Sequence, residues 1–257
     1  MDLGISGKTA LVCASTSGLG KATAQALAAE NVRVVVTSRS ADAAQQIAAK
    51  LPGAVGLGID LVAAGGAAEL YEQAVAAVGE IDILVLNGPG PAPGSAKDTT
   101  AAGAQQALDL LVQPQLELIS KVLPGMIERG FGRILSISST SIQAPIENLA
   151  LSNLGRAALA GYLKTLAAEV AAEGITVNSL LPGRVATPRA AQIDQAAAAK
   201  SGTSVQEAHA ATAATIPSGD YGKPEDFGAV AAFLCSAQAA YITGTALRFD
   251  GGMVPVL

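Results

Sequence analysis

The chain has 257 residues, half of them hydrophobic, which is enough to bury a large core and fits one α/β domain better than two. Its formal net charge is -5, and its lysines and arginines are scattered, so we expect no nucleic-acid partner. No uninterrupted apolar stretch reaches the ~20 residues that a membrane helix needs, and the first residues do not resemble a secretion signal. We therefore expect one domain over residues 1–257 of a soluble, cytoplasmic protein without a membrane partner.

The two cysteines give no sign of a metal site or a disulfide. Cys13 and Cys235 lie inside apolar runs, far from each other and from any histidine pair. We expect both to be small core residues, and we predict no metal ligand.

The first half of the chain alternates between strand and helix patterns. Short apolar or β-branched runs predict strands at 9–14, 32–37, 54–59 and 82–86. Apolar residues at helical spacing predict helices at 18–30, 41–51 and 99–128. This alternation predicts a parallel sheet with right-handed crossover connections.

The junction between the first strand and the first helix consists of small residues. They are, in order, Ala14, Ser15, Thr16, Ser17, Gly18, Leu19 and Gly20. Backbone N–H groups and the positive end of a helix favour a pyrophosphate at such a place, and the serine and threonine hydroxyls are further donors. An ordinary tight turn between strand and helix is the alternative interpretation.

A second polar cluster follows the strand predicted at 133–137. Residues 138–145 form a polar loop, and from Asn148 onward apolar residues recur at helical spacing. Ser152 and Arg156 lie four residues apart, so they share one helix face, which points toward the loop that carries Ser139 if the helix packs on the strand. The alternative is that the serines satisfy backbone groups at a strand end and that Arg156 is a surface charge.

This segment resembles the catalytic strand-loop-helix of the short-chain dehydrogenase/reductases. In that family a serine follows GRI-x-x-I-S, and a tyrosine stands four residues before a lysine. On this pattern Ser139 takes the place of the serine, Ser152 that of the tyrosine and Arg156 that of the lysine. Leu111 stands where the family usually has an asparagine that holds a proton-relay water. The resemblance covers nearly the whole chain, is closest to 3-oxoacyl-reductase-like members, and implies a Rossmann-type, doubly wound α/β/α fold.

The resemblance also implies a dinucleotide site with altered motifs. The family writes T-G-x-x-x-G-x-G at the first junction, where Ala14 replaces the first glycine and Gly18 and Gly20 keep the others. After the second strand, Ser38 and Arg39 stand where an Asp would accept from the ribose 2′-OH of NAD. Because a guanidinium holds a 2′-phosphate, we predict NADP(H) in preference to NAD(H), an exposed loop arginine being the alternative. The other positions that the resemblance assigns to the cofactor are Asp60, Leu61, Asn87, Gly88, Pro182, Gly183 and Thr187.

The pattern loosens at residues 188–222, the place of the family's mobile substrate lid. His209, the only histidine, lies there, and we expect it to be a surface helix residue and not a catalyst. The apolar faces of the helices at 99–128 and 148–173, together with the apolar residues 253–257, predict a homo-oligomer, which the resemblance suggests is a homotetramer.

Three functions stay open. The first is an NADP(H)-dependent oxidoreductase for a carbonyl or alcohol substrate, acyl thioesters included, in which Ser139 polarises the carbonyl and water or Glu147 supplies the proton. The second is a non-redox lyase or aldolase for an anionic substrate, with Arg184 and Arg189 as further anchors. The third is a catalytically silent nucleotide-binding protein. A serine is a far weaker acid than a tyrosine and an arginine does not titrate, so the chemistry must differ from the family's.

Overall fold

The computed structural model describes residues 2–256 and contains one sheet of seven parallel strands. The strands are β1 (Thr9–Val12), β2 (Arg33–Ser38), β3 (Val55–Gly58), β4 (Ile83–Leu86), β5 (Gly132–Ile137), β6 (Ile175–Pro182) and β7 (Ala246–Phe249). Their order across the sheet is β3-β2-β1-β4-β5-β6-β7. The predicted parallel α/β fold is confirmed.

Helices cover both faces of this sheet. They are α1 (Gly18–Ala29), α2 (Ala41–Ala48), α3 (Gly66–Val78), α4 (Ala101–Leu111), α5 (Gln113–Arg129), α6 (Ala150–Val170), α7 (Pro188–Ser201), α8 (Val205–Ala213) and α9 (Pro224–Leu234). One buried cluster joins α1, α2 and α9 to the sheet, and a second joins α3, α5 and α6. Cys13 and Cys235 are buried in these clusters, as predicted, and burial raises the pKa of each thiol to about 12.

The single helix predicted at 99–128 is wrong, because two helices occupy this stretch. They meet at Val112, whose φ is -116°. Pro114 explains the break, since it lacks the N–H that would bond to the Leu110 carbonyl in a continuous helix and its ring would clash with that carbonyl. The sequence patterns also missed α3, whose many alanines give little contrast between its faces.

The carboxyl ends of all the strands meet at one edge of the sheet. β1 and β4 are neighbours there although they are not consecutive in the chain, which creates the crevice where open α/β sheets bind ligands. The loops that carry the predicted site residues leave the sheet at this edge. No helix within residues 2–256 is long and apolar enough to cross a membrane.

Candidate functional site

The turn after β1 is held together by the side chain of Ser15. Its hydroxyl donates to the carbonyl of Val12 at 2.7 Å and accepts from the N–H of Thr37 at 2.9 Å, and the residue is fully buried. This hydroxyl therefore stabilises the turn and is not available to a phosphate, which corrects the prediction for Ser15. Thr16 is half-buried and Ser17 is exposed, so their hydroxyls keep that role open.

Ala14 adopts the backbone conformation of the glycine that it replaces. Its φ is +46°, in the left-handed region that L-residues enter at a cost of about 1–2 kcal/mol. Its N–H donates to Thr37 Oγ1 at 3.0 Å, and its carbonyl accepts from Asn87 Nδ2 at 3.2 Å. The methyl group of Ala14 therefore adds strain to a turn that these two hydrogen bonds hold in place.

The start of α1 fits the pyrophosphate of a dinucleotide. A Cβ atom at Gly20 would lie 2.5 Å from the carbonyl oxygen of Ala14 and 2.7 Å from Asn87 Nδ2, so only a glycine fits there without movement. Ser17, which precedes the helix, makes no side-chain hydrogen bond to it. The N–H groups of the first turn, which Gly18 and Leu19 begin, therefore remain available to an anion.

The residues predicted to meet the adenosine end of a cofactor lie on neighbouring loops. Ser38 ends β2, and Arg39 is exposed and forms no ion pair within residues 2–256. Asp60 follows β3, where its carboxylate accepts from the N–H of Val62 at 3.1 Å, and Leu61 is half-buried beside it. The guanidinium of Arg39 is therefore free to hold a 2′-phosphate.

Ser139 and the pair on α6 flank the carboxyl end of β5. Ser139 Oγ accepts from the N–H of Ser141 at 3.1 Å, which leaves its own hydrogen free to donate. On α6, Arg156 Nε donates to Ser152 Oγ at 3.2 Å. This bond confirms that Ser152 and Arg156 share one helix face, and it shows that Ser152 orients the guanidinium.

Arg156 reaches a small, partly open cavity between the ends of β4 and β5. The cavity has a volume of about 20 Å³, and its lining includes Arg156, Ser138, Asn87 and the apolar Leu111. Burial lowers the pKa of the Arg156 guanidinium, which nevertheless stays a cation at any working pH. Because Asn87 also bonds to Ala14, this cavity adjoins the turn after β1.

The loop after β6 brings the start of α7 close to the turn after β1. Thr187 Oγ1 accepts from the N–H of Ala190 at 3.3 Å and thereby caps α7. A Cβ atom at Gly18 would lie 3.7 Å from the side chain of Thr187. Pro182 and Gly183 are half-buried at the end of β6, so these two positions predicted to contact the cofactor lie at the same sheet edge as Gly88, which follows β4.

The three residues predicted to contact substrate lie outside the Arg156 cavity. Glu147 is exposed before α6, Arg184 is half-buried, and Arg189 is exposed in the first turn of α7. None of their side chains makes a hydrogen bond or an ion pair in the part of the chain that the structure describes. They remain free to contact a ligand, but the structure does not bring them together with Arg156.

His209 belongs to a polar network within residues 188–222. Its Nδ1 lies 3.1 Å from Asp194 Oδ2, and the hydroxyl of Tyr221 donates to Asp194 Oδ1 at 2.7 Å. The rings of His209 and Tyr221 are 4.2 Å apart. His209 is half-buried, and these contacts fasten α7 to α8 and to the chain before α9. The sequence patterns missed this network because its members are far apart in the chain.

The sequence interpretation also overlooked Gln115. It is only 6% exposed and lines the same cavity as Arg156. The signal was present, since the buried residues Leu118, Ile119 and Val122 follow it at helical spacing and place it on the apolar face of α5.

Comparisons with known proteins agree with this fold. The sequence profile of the family described as Enoyl-(Acyl carrier protein) reductase matches residues 13–254. Human dehydrogenase/reductase SDR family member 4 is 36% identical over 256 residues, which cover 96% of this chain and 88% of that protein. The 3-oxoacyl-[acyl-carrier-protein] reductase FabG of Escherichia coli is 33% identical over 261 residues, which cover 97% of this chain and 98% of that protein.

A solved structure is similar over the full length. L-sorbose reductase from Gluconobacter frateurii, complexed with NADPH and L-sorbose, has a TM-score of 0.94 and 30% identity, and the match covers 100% of both chains. The protein described here therefore belongs to the short-chain dehydrogenase/reductase family, and the predicted resemblance is confirmed. Its relatives include reductases, one of them with NADPH bound.

Proposed function

We propose that this protein is an NADP(H)-dependent oxidoreductase that acts on the carbonyl or alcohol group of a small molecule through an altered Ser139, Ser152 and Arg156 site. The observation that supports this most directly is the position of Asn87. It lines the Arg156 cavity and donates to the carbonyl of Ala14 in the nucleotide turn. Chemistry at Arg156 would therefore take place next to a dinucleotide bound at α1.

Each side chain of the site would have a different role in the reduction of a carbonyl. Bound NADPH would supply the hydride. Ser139 donates its free hydroxyl hydrogen to the carbonyl oxygen, where negative charge develops. Arg156 is a permanent cation, so it binds and orients charge but exchanges no proton, and Ser152 fixes its direction. The proton comes from water or from Glu147, an exposed carboxyl group just before α6.

The cofactor preference rests on Arg39. We expect NADPH to bind more tightly than NADH, and Arg39→Ala to raise the Kd for NADPH about 10- to 100-fold, the equivalent of losing a charge-assisted bond worth about 1.5–3 kcal/mol. The Kd for NADH should not change. Arg33→Ala is a matched control, because Arg33 is exposed at the opposite end of β2. Calorimetric titration gives both constants, and equal affinities for NADPH and NADH in the unaltered protein would contradict the preference.

The reaction is tested with a panel of carbonyl compounds followed by the loss of NADPH absorbance. The panel should contain 3-oxoacyl thioesters and ketoses, because relatives are named for reducing these classes. NADPH consumption that matches substrate loss supports the proposal. Binding of NADPH without turnover of any compound would favour a silent nucleotide-binding protein.

The second candidate is a non-redox lyase or aldolase acting on an anionic substrate. It is favoured by Arg156, Arg184 and Arg189, none of which has a carboxylate partner within the described residues. Cleavage of a phosphorylated or carboxylated substrate in the absence of nucleotide would support this candidate. Strict dependence on NADPH would exclude it.

We also propose a homotetramer. Leu154 and Tyr162 are large exposed residues on α6, and a groove of about 600 Å³ lined in part by Leu116 and Tyr162 runs beside that helix. Apolar outer faces of this kind need cover beyond their own sheet. Val256 is exposed at the apolar end, and Leu257 lies outside the described residues. A single monomeric species in sedimentation at micromolar concentration would contradict the proposal, and Tyr162→Glu is expected to dissociate the assembly.

A further inference from the structure

We propose that Gln115 is a positioning residue for Arg156, and that the two side chains share one bound water in the cavity at the ends of β4 and β5. The functional importance of this contact rests on the proposed function, in which Arg156 is the cation of the site. The contact itself follows from the burial, the unpaired atoms and the shape of this part of the protein.

Gln115 has a buried polar group that the protein does not satisfy. The residue is 6% exposed, and its carbonyl oxygen is enclosed without a hydrogen-bond partner among residues 2–256. A Cβ atom at Gly88 would lie 3.8 Å from its amide nitrogen, which places the side chain beside the end of β4. An oxygen so enclosed touches no water in the cavity, so in this orientation the amide nitrogen is the end that faces the cavity.

Arg156 has hydrogen-bond donors that no residue of the described chain uses. Its Nε donates to Ser152, but its two terminal nitrogens make no hydrogen bond to any described residue, and no carboxylate lies within ion-pair distance. A guanidinium carries five N–H donors, so four of them seek an acceptor. A half-turn of the Gln115 amide exchanges its oxygen and nitrogen with little change of shape. The positive charge of Arg156 favours the orientation in which the oxygen faces the cavity and the nitrogen takes the enclosed position.

The cavity has room for one water and the polarity to hold it. Its volume is about 20 Å³, which exceeds the ~10–15 Å³ that a single water needs. Asn87, Ser136 and Ser138 also line it, so a water there has further partners. Gln115 and Arg156 both line the cavity but do not bond directly. A bridging water would accept from the guanidinium and donate to the amide oxygen.

The position of Gln115 explains how the site tolerates Leu111. Leu111 is apolar and lines the same cavity, so it offers no side-chain acceptor to a water. Gln115 lies four residues later, on the buried face of α5, after the break at Val112. The polar side chain at this wall of the cavity therefore comes from α5 and not from the end of α4.

The test is a double-mutant cycle with Gln115→Leu and Arg156→Met, read by urea unfolding of the full chain at one fixed protein concentration. If the two side chains share a water, Gln115→Leu raises the unfolding equilibrium constant about fivefold to tenfold when Arg156 is present, and much less in the Arg156→Met protein. If the amide oxygen is truly unpaired, Gln115→Leu stabilises the protein in both backgrounds, which overturns the proposal. Gln113→Leu is the control, because Gln113 is exposed two residues earlier.

A conservative variant and a direct observation complete the test. Gln115→Glu places a carboxylate beside the guanidinium and should restore the stability that Gln115→Leu loses. A high-resolution crystal structure should show a water within hydrogen-bond distance of both side chains, and an empty cavity would overturn the proposal. The cycle uses neither nucleotide nor substrate. Failure to oxidise NADPH would therefore refute the proposed reaction alone, whereas zero coupling would refute the water bridge alone.

Discussion

Two stretches at the same edge of the sheet depart from the family pattern in different ways. In the turn after β1, Ala14 replaces a glycine but keeps the left-handed backbone that a glycine would supply. On α6, Ser152 and Arg156 share one helix face, and on the family pattern they would stand in place of a phenol and an amine. A turn requires only certain backbone dihedral angles, and the surrounding hydrogen bonds can hold an alanine in them. Acid-base chemistry requires particular atoms, so under the proposed function the second departure would change what the site can do.

The largest effect should come from Ser139→Ala, which tests whether the altered edge is catalytic. We expect kcat to fall about 100- to 1000-fold, because a donor aimed at a developing oxyanion typically contributes about 2.7–4 kcal/mol to the chemical step. The Kd for NADPH should stay the same. Steady-state kinetics with a substrate found in the panel gives the result.

Ser120→Ala is the matched control for this prediction. Ser120 is an exposed serine on α5 whose hydroxyl donates only to the carbonyl of Glu117 in its own helix. The control should leave kcat unchanged. Unchanged turnover in Ser139→Ala as well would show that the reaction does not take place at the edge where the family has its catalytic serine.

The next largest effect should come from Gly20→Ala. This change tests whether the turn after β1 is as rigid as its contacts indicate. The added Cβ would lie 2.5 Å from the Ala14 carbonyl oxygen, a contact that backbone movement must relieve. We expect the free energy of unfolding to fall by about 1–3 kcal/mol, and NADPH binding to weaken. Chemical unfolding and calorimetric titration measure the two effects.

Gly161→Ala is the control for the added methyl group. A Cβ atom at Gly161, in the middle of α6, would meet no atom within 4 Å. This change should stabilise the protein by about 0.5–1 kcal/mol, since alanine is the better helix former. If Gly20→Ala is tolerated equally well, the turn is plastic, and the contrast with α6 disappears.

Periodicity in the sequence predicted what depends on burial. The strands lie within a few residues of their predicted positions. Strands of a parallel sheet are buried on both faces, so a short continuous apolar run marks them in the sequence. Periodicity could not show which acceptor a short polar side chain chooses. Ser15 turns inward to Val12 and Thr37, and Asp194 pairs with Tyr221, contacts that exist only once distant segments meet. Which residues lie at the carboxyl edge of the sheet was therefore easier to predict than which hydrogen bonds they make.

The smallest effect should come from Ala14→Gly, which tests whether the methyl group of Ala14 obstructs a bound phosphate. Glycine removes the strain of the left-handed conformation but gains freedom in the unfolded chain, so the two terms nearly cancel and the net stabilisation should be below about 1 kcal/mol. Asn31→Gly is the control, because Asn31 has a φ of +60° and asparagine tolerates that region better than alanine does. Its replacement should bring no gain. If the left-handed conformation of Ala14 already gives the turn the backbone shape that a glycine would give it, the Kd for NADPH is the same in Ala14→Gly as in the unaltered protein. A clearly tighter Kd would mean that the methyl group obstructs the phosphates, and that the turn, like α6, has been altered in its chemistry.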